Sequence, residues 1–136
     1  MSNWTHVAAI VRVDDFRFDK ELNIADYFEG VFGKELKYED GVKAWDEADE
    51  RPELFLPLGS EGSLTMNVWE NPDKSCMAAY VISIFGDLRD HDDPNAIIEW
   101  FKEKIRGLWV RQATITVENE WNGTVNFTWA YEEGTA

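Results

Sequence analysis

The densest group of side chains able to do chemistry is Asp87, Asp90, His91, Asp92 and Asp93. Carboxylates beside an imidazole suit a divalent cation. The spacing fits no EF-hand, which needs a central glycine and a terminal glutamate. Asp93 directly precedes Pro94, so the run reads first as a helix start: a carboxylate capping orphan amides, proline at the first position, and acidic neighbours complementing the dipole. The other histidine, His6, falls on a strand-like stretch with no catalytic partner at a fixed spacing. Cys76 is the only cysteine and opens an apolar run, which reads as a buried thiol rather than a nucleophile; it excludes an intrachain disulfide and a Cys-rich zinc site. Gly59-Ser60-Glu61-Gly62 has the wrong spacing for a phosphate loop, no lysine, and a carboxylate where an anion would sit, so it reads as a turn. The sequence implies no cofactor and no metal, and its lack of a catalytic constellation weighs against an enzyme.

A second acidic run, Asp46, Glu47, Asp49 and Glu50, has only Lys43 and Arg51 close by to neutralise it. The two runs are part of an imbalance of 27 acids against 13 Lys plus Arg, a formal charge of −14 over 136 residues. Such a field repels phosphate backbones and anionic lipid, which argues against nucleic-acid and membrane partners and for a basic protein. The length fits one domain spanning 1–136, and the 44% hydrophobic fraction with seven tryptophans and eight phenylalanines can fill a core. The N-terminal stretch has no basic segment followed by an apolar run, and no apolar stretch approaches the ~20 residues that cross a bilayer, so a cytoplasmic location is expected.

The elements that must position these groups are legible in part. Val7, Ala9, Val11 and Val13 alternate with His6, Ala8, Ile10 and Arg12, the period of a strand. Asn23 as N-cap, then Ile24, Phe28, Val31 and Phe32 at helical spacing, and Gly33 as stop, predict a short helix. Residues 34–62 read as an irregular acidic insertion, with a hairpin through Leu36 to Ala44 turning at Asp40-Gly41 and a short edge strand over Leu54 to Leu58, where Pro57 lacks an amide proton. Leu64, Met66 and Val68 alternate, and a turn at 71–74 leads into the apolar run Met77 to Phe85, predicting two antiparallel strands. Pro94 to Arg106 is predicted helical, with Ile97, Ile98, Phe101 and Ile105 as its apolar stripe and Gly107 as stop. For the last hairpin, a loop of Trp121-Asn122-Gly123 with Gly123 left-handed pairs Ala113 with Tyr131, Ile115 with Trp129 and Val117 with Phe127, keeping one apolar face; a two-residue Asn122-Gly123 turn splits it.

Strand, helix, insertion, two strands, helix and two strands predict an α+β domain: a ferredoxin-like (split β-α-β) antiparallel sheet with two helices on one face and an extra C-terminal strand. That fold hosts many unrelated functions. Its open face would present Ile10, Trp69, Val81 and Phe85 among Arg12, Thr65, Asn67, Thr114 and Thr116, either beneath the insertion or as an interface or ligand surface.

The leading expectation is a cytoplasmic, non-enzymatic module binding a basic partner, as an immunity protein or phage anti-defence inhibitor does. Its docking residues are Asp46, Glu47, Asp49, Glu50, Asp87, Asp90 and Asp92. Two alternatives stand beside it. One is a small ligand-binding protein or enzyme on the open face, with Trp69 and Phe85 as apolar wall and His6 and Arg12 as polar groups. The other is a structural homodimer.

Overall fold

A computed structural model describes residues 3–14, 23–37, 40–73, 78–91 and 93–130 of the chain. Strand β1, Trp4–Asp14, buries Thr5, Val7, Ala9, Val11 and Val13 and turns the alternate residues outward, as the period of two requires. It lies at the centre of a five-stranded antiparallel sheet with β2 (Leu64–Glu70), β3 (Ala78–Arg89), β4 (Val110–Asn119) and β5 (Gly123–Ala130), in the order β2-β3-β1-β4-β5. The class is α+β, as expected, and the added edge strand β5 takes the order beyond a four-stranded arrangement.

Two helices cover one face of this sheet. Helix α1, Ile24–Phe32, starts where Asn23 Oδ1 accepts the Asp26 amide, and ends at Gly33. The later amphipathic helix, Pro94–Ile105, is capped by Asp93, whose carboxylate accepts the Ala96 amide at 3.2 Å. Phe28, Phe32, Ile97 and Phe101 join Val7, Val11, Ile82, Ile84 and Ile115 in one core. Each such side chain contributes roughly 1.5–3 kcal/mol by leaving water.

The insertion corrects two expectations. No hairpin turns at Asp40-Gly41: helix α2 spans Val42–Glu50, and the helix over 94–105 is therefore α3. Ala44, Trp45 and Ala48 recur at helical spacing and pack over Leu36 and Phe55, a small second core that also takes in Leu54 and Leu58. Nor is Leu54 to Leu58 an edge strand. Pro52–Leu54 is a 3-10 turn with proline at its start, Phe55 makes one isolated bridge to Lys34, and Leu56 drops into the main core. The insertion sits beside β2, where Glu35 Oε1 accepts the Met66 amide at 2.6 Å.

The last hairpin also differs. Ala113 pairs with Trp129, Ile115 with Phe127 and Val117 with Val125, two residues from the expected register; Tyr131 lies outside the described residues. The apolar residues still share a face. The loop is Glu120-Trp121-Asn122 because the Asn119 side chain accepts the amides of Trp121 and Asn122 at 3.0 and 2.8 Å. Gly123 takes the left-handed conformation expected of it, at φ 89°.

Candidate functional site

Helix α2 fixes one side and leaves the other to solvent. Ala48 is buried and Ala44 and Trp45 are half-buried, so Asp46, Glu47, Asp49 and Glu50 are all turned outward and exposed. None of the four makes an ion pair with the described residues. Three pairs, Asp46 with Asp49, Asp46 with Glu50 and Glu47 with Glu50, stand three or four residues apart, where like charges cost roughly 0.2–0.5 kcal/mol each, an amount that Lys43 before Asp46 and Glu47 and Arg51 after Glu47 offset at the same spacings. Asp49 and Glu50 also occupy the last turn, the end at which the helix dipole disfavours anions. The opposite end has no acid in its first turn and no side-chain cap at Gly41. Flanking acids differ: Asp40 accepts the Lys37 amide, and Glu53 pairs with Arg51 at 3.2 Å. A hydrogen bond from its own backbone amide, and then Arg51, hold the Glu53 carboxyl below its ordinary range.

Beside α2 runs an open cleft of about 1080 Å³, with Lys37, Gly41, Val42 and Trp45 on one wall and 60–63 on the other. The far wall comes close to the sheet because Gly62, at φ 79°, has no side chain; a Cβ there would lie 2.1 Å from the Asp87 carbonyl oxygen. Sequence reading missed this cleft, although the spacing of Ala44, Trp45 and Ala48 was its available signal.

The second acidic run is arranged otherwise. Asp87 Oδ1 lies 2.6 Å from His6 Nδ1. Asp90, left-handed at φ 59°, accepts the Ser60 hydroxyl at 2.9 Å and donates its amide to the Asn3 carbonyl. Asp93 is the cap of α3, and Asp92 lies outside the described residues, as does Cys76. The His91 carbonyl accepts from the Thr5 hydroxyl and from Asn119 Nδ2. Among the described residues, no three His, Cys, Asp or Glu side chains are grouped to hold a metal ion. The His6 pKa is raised above its ordinary value, chiefly by the hydrogen bond its ring donates to the Asp87 carboxylate and, against some desolvation, by the charges of Asp87, Glu120 and Glu118.

The open face is composed as the alternation implies. Register aligns Trp69, Val81 and Arg12 in one row, Asn67, Ser83, Ile10 and Thr114 in the next, and Thr65, Phe85, Ala8 and Thr116 in a third. Arg12 donates to Gln112 Oε1 at 3.0 Å. Ile10, Phe85 and Trp69 remain 44%, 46% and 53% exposed, so the insertion leaves this face bare. His6 stands on the same face two rows beyond Ile10, engaged with Asp87.

Comparison with known proteins yields no match: no family model fits the chain, and no curated protein and no solved structure matches it significantly.

Proposed function

We propose that the protein is a cytoplasmic binding module that docks a basic protein partner through α2, in the manner of an inhibitor of the immunity or phage anti-defence type. The observation that carries this reading is four exposed carboxylates with no ion pair to the described residues, two of them in the last turn of a helix, where the dipole disfavours anions. The adjoining cleft, with Trp45 and Val42 on its wall, offers an apolar anchor of the partner a place to insert. Charge of this density steers encounter and rejects wrong partners more than it adds affinity. We take the β1–β4 sheet with α1 and α3 as a ferredoxin-like, split β-α-β scaffold to which β5 is added; this carries no functional weight. A reducing compartment agrees with the lone cysteine.

The test is association kinetics over a salt series with a basic partner captured from the native cytosol. D46N/E47Q/D49N/E50Q should associate at least about tenfold more slowly at low salt and with a flatter salt dependence. A control, E29Q/E99Q/E103Q/E118Q, changes net charge by the same amount at exposed positions away from α2 and should keep most of the rate. Equal loss in both variants would reduce the effect to net charge and remove α2 as the docking surface. Retention of no basic protein by the wild type, at low or moderate salt, would remove the reading itself.

A further inference from the structure

The two edges of the sheet are treated differently. At β2 the Met66 amide is taken by the Glu35 carboxylate, the insertion stands alongside, and the strand ends in a charged residue, Glu70. These are the devices by which proteins keep an edge from recruiting another strand. At β5 there are none: Gly123–Ala130 has no charged residue, no proline and no break in its register with β4, and no described strand pairs with its outer side. Its helix-side residues are also only partly covered. Phe127 lies under α3, with Phe101 at 6.5 Å between ring centres and Lys102 Nζ at 5.0 Å, while Val125 is half-buried and Trp129 is 39% exposed.

We infer that β5 is a self-association edge, at which a second copy of this chain adds its own β5 antiparallel and continues the sheet. Charge permits a second copy at this place, where elsewhere it opposes one. A molecule of net charge −14 repels itself over most of its surface, yet 94–130 is neutral, Glu99, Glu103, Glu118 and Glu120 being matched by Lys102, Lys104, Arg106 and Arg111, and with Glu132 and Glu133 beyond it 94–136 carries only −2. Symmetry supplies the fit, because a two-fold axis through an antiparallel strand pair gives each copy the edge the other lacks. Centred on Phe127, that pairing sets Val125 beside Trp129 of the partner subunit on the helix side, and Asn126 beside Thr128 of the partner subunit on the open face. The α2 ridges, attached at the β2 side, are left at the two outer ends. The inference is independent of α2 docking.

Sedimentation equilibrium on the full chain, from micromolar to submillimolar concentration, tests it. The expected mass climbs from 15.7 kDa towards twice that value. N126K/T128K and N126E/T128E each set like charges opposite one another across the axis, and each should weaken the dimer about tenfold or more, while an equimolar mixture of the two should recover it. Both positions are exposed, so melting should be unchanged at concentrations where the wild type is monomeric. Hydrogen exchange on the wild type gives a reading free of any substitution: β5 amides should slow as concentration rises and β2 amides should not. A constant 15.7 kDa mass would overturn the inference and leave the edge to a foreign strand. So would a dimer indifferent to both variants, a mixture that stays monomeric, or β5 exchange independent of concentration.

Discussion

Two stretches of this chain have a similar density of acids and opposite fates. In 87–93 the structure spends the carboxylates: Asp87 on His6, Asp90 on Ser60, Asp93 on the first turn of α3. In α2 it spends none of Asp46, Glu47, Asp49 or Glu50 on a described cation. What separates them is the supply of donors. A carboxylate beside a helix start or a chain crossing meets amides and hydroxyls that need an acceptor; one on the outer side of a helix meets only water and its neighbours' charge. An acid run therefore becomes a candidate for recognition only after its internal partners have been counted.

The contrast can be broken hardest at Asn119. Its side chain binds the Thr5 hydroxyl, the His91 carbonyl and two loop amides, so it ties the 87–93 segment to β1 and to the last hairpin. Asn119→Ala strands buried polar groups and should cost roughly 2–3 kcal/mol in urea denaturation, with little change in partner association rate. Asp93→Ala should cost about 1 kcal/mol through loss of the cap. The same measurement on D46N/E47Q/D49N/E50Q should move the other way, by roughly a few tenths of a kcal/mol of added stability from the last-turn dipole. If the α2 variant were destabilised as well, α2 would be a committed region like 87–93.

The smallest effect belongs to His6. Its folded value is raised above 6.5, so its contribution is fully present below about pH 6.5 and is lost as pH rises through the raised value. Melting temperature should fall slightly over that interval in the wild type and less in His6→Asn. An NMR titration should show Asp87→Asn bringing the His6 value back down. The pair is half exposed, which keeps the effect small.

Elements governed by local rules were legible in the sequence. The alternation in β1 placed Ile10 and Arg12 on the open face, and the same period in β2 and β3 added Trp69, Val81 and Phe85; Asn23 and Asp93 marked helix starts. Helix α2 was not legible, because its buried side is marked only by Ala44, Trp45 and Ala48 among four acids and it is held by contacts with Leu36 and Phe55 across the insertion. The register of the last hairpin failed for a related reason. Asn119 chooses the turn together with Thr5, 114 residues away in the chain, and no local turn rule contains that bond. For the candidate site, the sequence supplied both acidic runs but not their internal partners.

The position of β1 at the centre of the sheet has a consequence for synthesis. Val7 pairs with Gly86 on one side and with Val117 on the other, 110 residues later. At about 5–20 residues per second, a growing chain waits roughly 5–20 s between making its first strand and making the strand that completes that strand's hydrogen bonding. Helices α1 and α3 can form meanwhile, but the core they cover cannot close, and such distant pairings also slow refolding. The nascent chain therefore passes through an interval in which Val7, Ala9, Val11 and Val13 remain without their final neighbours, and the yield of folded protein in the cell rests on how that interval is survived.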